Sequence, residues 1–176
     1  MKSLLYFQSG GPTPVINTSL YGVIKEAKRH HEVDGIFGSL YGIEGVINDR
    51  LIDLRQEDDD QVELLKQTPG AILGTTRYKL SDDLGHPDYY KILLTLKKHN
   101  IGYLLVNGGN DSMDTCHKLS QFMKKAEYDC AVIGIPKTID NDLNFTDHCL
   151  GYPSAAKYVI QSLQDIAIDN MCYNKG

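Results

Sequence analysis

Short apolar runs rich in β-branched and aromatic residues alternate along this chain with longer stretches whose apolar residues recur at i, i+3 or i+4. The first pattern predicts strands at Leu4–Gln8, Gly35–Ser39, Ala71–Leu73, Tyr103–Asn107 and Ala131–Ile135. The second predicts helices over Pro14–Arg29, Asp60–Gln67, Pro87–His99, Ser112–Lys125 and Ser154–Asn170. In the last of these, Ala155, Val159, Ile160, Leu163, Ile166 and Ala167 form one broad apolar stripe, the mark of a helix face turned into the core. Gly-rich turns stand where strands hand over to helices. The expected fold is therefore α/β, a doubly wound, mostly parallel sheet with helices on both faces.

Composition narrows the function more than the fold. A chain of 176 residues, 41% hydrophobic and 23% charged, is the size of one domain, with no repeat or linker to divide it. Eighteen Lys+Arg against 23 Asp+Glu leave a net charge of -5, so no positive field exists to draw a nucleic-acid backbone. The apolar run Leu4–Phe7 falls short of the roughly 7–15 residues of a signal-peptide core, and no run nears the ~20 of a membrane span. A cytoplasmic protein with neither nucleic-acid nor membrane partner is expected. Cys116, Cys130, Cys149 and Cys172 make no CxxC pair and read as buried, reduced thiols. The acidic run Glu57 to Asp60 reads as a solvated helix cap, and His30-His31 as partners for a helix C-terminal dipole.

In open α/β sheets ligands bind beyond the carboxyl ends of the strands, which directs attention to three turns. Ser9-Gly10-Gly11-Pro12-Thr13-Pro14 follows the first strand; its glycines let backbone amides approach an anion, and the next helix adds its positive end. It matches neither GxGxxG nor GxxxxGK[ST], which disfavours a dinucleotide site and a Walker ATPase. Gly108-Gly109-Asn110-Asp111-Ser112 is again Gly-rich and adds an amide, a carboxylate and a hydroxyl, although Asp111 or Ser112 would also serve simply as a helix N-cap. Pro136-Lys137-Thr138-Ile139-Asp140-Asn141-Asp142 supplies a cation, a hydroxyl and two carboxylates within seven residues. That set suits a base, a metal-facing acid and a charge stabiliser.

These segments, together with Asn17 and Gly74-Thr75-Thr76-Arg77, occur in the order in which they occur in the phosphofructokinase family, which the chain resembles along essentially its whole length. The stretch from Pro136 to Asp142 is most similar to the pyrophosphate-dependent members. ATP-dependent members usually carry glycine where this chain has Lys137 and Asp111. A carboxylate at 111 would repel the α-phosphate of ATP, and Lys137 would neutralise pyrophosphate and its leaving phosphate.

The resemblance implies phosphoryl transfer from pyrophosphate, or alternatively from ATP, to the C1 hydroxyl of fructose 6-phosphate, with Mg²⁺ as cofactor. It implies Asp140 as general base, Asp142 facing the magnesium, Thr138 holding the transferring phosphoryl and Lys137 stabilising charge. Gly10, Gly11, Arg77, Gly109, Asn110, Asp111 and Ser112 would bind the donor, and Thr138 and Asp140 would meet the substrate. Asn110 stands where many members place a metal-binding aspartate, so its amide oxygen would share the metal with Asp142.

The Met-Gly-Arg motif of the family's second half is not found in these 176 residues. The chain is expected to be the donor-binding N-terminal half, with little turnover by itself, of an enzyme that is a homo-oligomer at full length. A noncatalytic phosphate- or nucleotide-binding module and a purely structural subunit are the competing readings.

Overall fold

The computed structural model describes residues 1–174. Its elements run β1 (Lys2–Gln8), α1 (Ile16–Ala27), β2 (Val33–Ser39), α2 (Ile43–Ile47), β3 (Leu51–Asp53), α3 (Asp59–Leu64), α4 (Pro87–Lys98), β4 (Ile101–Gly108), α5 (Asn110–Lys125), β5 (Ala131–Pro136) and α6 (Tyr152–Met171). The sheet order is β3-β2-β1-β4-β5. β1 pairs in parallel with β2 and β4, and β4 with β5, while β3 is antiparallel to β2.

Alternation along β1 builds both layers. Leu4 and Tyr6 join Leu20, Ile24 and Ala27 of α1 and Val62 of α3 in one core. Leu5 and Phe7 point the other way, into a second core with Tyr89, Ile92 and Leu96 of α4 and Leu119, Phe122 and Met123 of α5. A register slip of one residue would exchange the two sets, so the pattern fixes the pairing. The helices begin and end where local chemistry favours it. Pro87 opens α4, with the His86 ring accepting from the Asp88 amide, and Lys97 and Lys98 close it.

The acidic run lies at a helix start as expected, although no Asp58 side-chain bond caps the helix. Asp58 is the N-cap of α3, Asp59 and Asp60 fill its first turn, and Asp59 reaches Lys28, the C-cap of α1, at 3.0 Å. His30 lies past the end of α1 and bonds to Glu26 and Glu32, whose carboxylates raise its pKa.

Three expectations need correction. Ala71–Leu73 is a turn, not a strand, since Gly70 (φ +80°) and Gly74 (φ +72°) bend the chain on either side of it. The amides of Ile72 and Leu73 bond to the side chains of Asn17 and Gln8 instead of to a neighbouring strand. Leu51–Asp53 takes the edge position in its place, too short to leave a periodic signal. The apolar stripe on α6 is exposed: Val159, Ile160, Leu163 and Ile166 show 53%, 58%, 61% and 64% of their surface. The helix was legible from its period, but period reports which residues share a face and not what covers it; no residue of α6 is buried. Of the cysteines, Cys116 and Cys149 are buried, Cys130 is half-buried and Cys172 is exposed.

Candidate active site

The strand order places the site. β1 and β4 lie side by side, but the chain leaves β1 toward β2 and leaves β4 toward β5, so the loops beyond their carboxyl ends part and leave a crevice. A buried polar chain ties those ends together: the Tyr6 hydroxyl donates to Asn107 Oδ1 (2.8 Å), and Asn107 Nδ2 donates to the Ile135 carbonyl (2.7 Å). Burial raises the Tyr6 pKa, which keeps the phenol a donor.

The first two turns meet at the crevice because Gly108 lets them. A Cβ there would lie 2.2 Å from Ser112 Oγ and 2.7 Å from the Ser9 carbonyl. Gly10 adopts φ +76°, a conformation that side chains resist. Gly109, not Asp111 or Ser112, is the N-cap of α5, and its carbonyl accepts from the amides of Ser112 and Met113. The preceding amides, those of Asn110 and Asp111, are left at the positive end of a sixteen-residue helix.

The segment after Gly74 closes over the first turn. Gly10 N donates to the Thr76 carbonyl (3.0 Å) and Thr75 Oγ1 donates to the Gly10 carbonyl (2.6 Å), which brings Arg77 beside Gly10 and Gly11. Its anchor lies deeper. Asn17, fully buried, accepts from Gln8 Nε2 and the Ile72 amide and donates to the Thr68 carbonyl. Asn17 is thus a structural residue that orders residues 68–73.

Two adjoining clefts result. One, about 350 Å³, is lined by Gly10, Gly11, Arg77, Lys79, Gly109, Asn110, Asp111 and Ser112 among others. The other, about 320 Å³, takes Gly11, Thr13, Gly109 and Asn110 together with Lys137, Thr138 and Asp140. They share Gly11, Gly109 and Asn110, so all three turns converge on one trough. Asp142 lies on the exposed loop beyond and lines neither cleft. A larger cleft of about 560 Å³ opens between α1 and β4–β5, but Leu4, Val23, Tyr103, Leu105, Ile133 and Ile135 give it an apolar wall unsuited to phosphate.

Charge in the trough is unbalanced. Lys79 lies 3.5 Å from Asp111, both well exposed. Lys137 and Arg77 have no acidic side chain within ion-pair distance among the described residues. Partial burial, and then the charge of Arg77, lower the pKa of Lys137. Two cations without an acidic partner that disfavour each other would be stabilised by an anion of more than one charge.

The third turn is shaped by a residue whose role sequence reasoning missed. Asn141 sits at φ +57°, accepts from the Cys149 amide (2.8 Å) and donates to the Asp147 carbonyl (3.2 Å), closing residues 141–149 into a loop. An asparagine between two aspartates, residue types that form turns and tolerate left-handed backbone, is the signal that could have found it. Thr138 Oγ1 accepts from the Asp140 amide at 3.0 Å, which sets the direction of the turn.

Asn110 and Asp140, an amide and a carboxylate, line the same cleft. No group of three or more His, Cys, Asp or Glu able to enclose a metal occurs among the described residues. This sparse oxygen set fits a magnesium ion that keeps its waters and takes further ligands from phosphate.

Fold and site together define an α/β domain with a cation-bearing trough at a strand crossover. The chain belongs to the phosphofructokinase family, whose pattern, described as Phosphofructokinase, matches residues 3–175. It is 42% identical to the pyrophosphate--fructose 6-phosphate 1-phosphotransferase of Rhodospirillum rubrum over 93% of its length and 39% of that protein's. It is 44% identical to the protein of that name from Xanthomonas campestris, over 95% of this chain and 40% of the relative. The crystal structure of a pyrophosphate-dependent phosphofructokinase from Nitrosospira multiformis superposes with a TM-score of 0.90 at 40% identity, covering 96% of this chain and 42% of that one. The chain thus spans about two-fifths of the length of these relatives. No helix among the described residues is long and apolar enough to cross a membrane.

Proposed function

We propose that residues 1–176 form the phosphoryl-donor domain of a pyrophosphate-dependent 6-phosphofructokinase. The observation that carries this reading is the pair of unpartnered cations, Lys137 and Arg77, at the meeting point of two glycine turns and a helix N-terminus. The relatives at 42% and 44% identity support pyrophosphate as the donor. So does Asp111, which lines the donor cleft at the mouth of α5, where a nucleotide's α-phosphate would meet a carboxylate.

In this reading Gly10, Gly11, Gly109 and Ser112 hold the donor through backbone and hydroxyl groups, and Arg77 and Lys137 hold its charges. Asp140 takes the proton of the C1 hydroxyl of fructose 6-phosphate as the new C1–O–P bond forms. The P–O bond to the leaving phosphate breaks, and inorganic phosphate departs with its charge held by Lys137. Thr138 lies beside Asp140 and steadies the phosphoryl in transit. Magnesium, when bound, would supply neutralising charge to the phosphate oxygens and would be held by Asn110, while Asp142, the other expected ligand, lies outside both clefts. The whole enzyme would act in the cytoplasm, as a homo-oligomer.

Calorimetric titration of the chain with pyrophosphate and with ATP, each with and without Mg²⁺, tests the proposal. Magnesium-dependent binding of pyrophosphate in preference to ATP is expected. A preference for ATP would instead favour an ATP-dependent member, and binding indifferent to Mg²⁺ would favour a noncatalytic anion module.

A further inference from the structure

The strap that carries Arg77, residues 74–80, has neither helix nor strand to hold it. Arginine recognises phosphate through a planar fork whose direction matters, so a guanidinium on an unanchored strap would bind weakly. The residues on either side of Arg77 are both tied to acids on separate helices. The hydroxyl of Thr76, 8% exposed, donates to the carboxylate of Glu44 in α2. The hydroxyl of Tyr78 donates to the carboxylate of Asp88 in the first turn of α4.

Asp88 is itself held by neighbours, and Glu44 is placed by its helix. Asp88 is 7% exposed and sits beside His86 and Lys91. Glu44 lies at the start of α2, next to Gly42, which at φ +65° leaves room for the Thr76 methyl: a Cβ there would come within 2.7 Å of it. On the other side Thr76 is held by its carbonyl, which accepts from Gly10 N at 3.0 Å, and by its hydroxyl oxygen, which accepts from the Tyr78 amide at 3.1 Å. The two hydroxyl–carboxylate bonds bracket the arginine.

We infer that Glu44 and Asp88 are positioning residues for the donor site: acting through Thr76 and Tyr78, they clamp the strap and aim Arg77 at the donor phosphates. This rests on the proposed pyrophosphate site for its ligand and on the strap geometry for its mechanism.

The test uses Tyr78→Phe and Thr76→Val, which remove the hydroxyls and keep the shape. A calorimetric titration with Mg²⁺ and pyrophosphate should give an affinity about tenfold weaker for each. That loss should vanish in an Arg77→Ala background, where there is no guanidinium left to aim. Asp88→Asn, which keeps an acceptor for Tyr78, should retain more affinity than Asp88→Ala. A merely structural role would lower the melting temperature equally in both backgrounds and leave the coupling with Arg77 at zero, overturning the inference, as would unchanged affinity in the single variants.

Trypsin cleavage of the native-state chain after Arg77, followed by mass spectrometry, reads the clamp without any ligand. Cleavage several-fold faster in Tyr78→Phe and Thr76→Val supports the clamp, and an unchanged rate refutes it. Failure of the parent chain to bind pyrophosphate, with the clamp intact by trypsin, would count against the donor reading alone.

Discussion

Replacing Asn17 with alanine tests whether a buried amide that lines neither cleft holds the proposed donor site together. Its side chain makes three bonds in a fully buried position: it accepts from Gln8 Nε2 at 2.8 Å and the Ile72 amide at 3.0 Å, and donates to the Thr68 carbonyl at 2.8 Å. The three losses are unequal. Ile72 is 55% exposed and Thr68 half-buried, so water can replace their bonds at small cost. Gln8 is fully buried and its amide nitrogen would lose its acceptor, which costs about 1–3 kcal/mol. Adding the void left by the amide, the expected loss is about 2–4 kcal/mol out of the ~5–15 typical of a domain.

Urea unfolding followed by tyrosine fluorescence suits a chain with 11 Tyr and no Trp. With an m-value of roughly 2 kcal/mol/M the midpoint should fall by about 1–2 M. Gln8→Ala combined with Asn17→Ala should cost clearly less than the sum of the two single changes, because the second removal leaves no orphan behind. Pyrophosphate affinity should fall as well, since residues 68–73 lead directly into the Arg77 strap. A loss below about 1 kcal/mol, or strict additivity with Gln8→Ala, would refute the argument that this network orders the loop.

Lys137→Met should weaken pyrophosphate binding about tenfold or more by calorimetry, the range of a lost charge-assisted bond. Because burial and Arg77 lower the Lys137 pKa, its contribution to affinity should fade as pH rises through that lowered value, before free lysine titrates. For stability the sign is the reverse: between the lowered folded value and the ordinary one the unfolded chain binds more protons, so stability rises with pH there, and Lys137→Met should flatten that rise in urea midpoints. Asp111→Gly with Lys137→Gly should shift the pyrophosphate-to-ATP affinity ratio toward ATP, and an unchanged ratio would place donor choice elsewhere. A thiol reagent at pH 8 should label exposed Cys172 first and Cys130 slowly, burial having pushed that thiol up to about 11; Cys116 and Cys149 should react only on unfolding, as mass spectrometry of the labelled peptides will report.

What could be read before the structure was whatever repeats or stands at a fixed offset. Leu4, Tyr6 and Leu5, Phe7 alternate, so the central strand and its two cores were legible. The glycine turns stood directly after strands, so the trough was legible too, down to Gly11, Gly109, Lys137 and Asp140. What escaped depends on residues far apart in the chain. The three-residue strand β3 has no period to display and exists because β2 offers it an edge. Ala71–Leu73 has strand composition, but buried side chains at positions 8 and 17 hold it as a turn, over separations that no local pattern encodes.

The α6 stripe is the instructive failure, because helix formation and burial are separate physical events. The first needs only local periodicity and the second needs a partner surface. The same separation holds at the site: Arg77 was singled out as a candidate phosphate ligand by its motif, whereas the acids that bracket its strap, Glu44 and Asp88, lie 33 and 11 positions away and carry no motif. Motifs mark the atoms that meet the ligand. The groups that aim those atoms are recognisable only once the chain has folded.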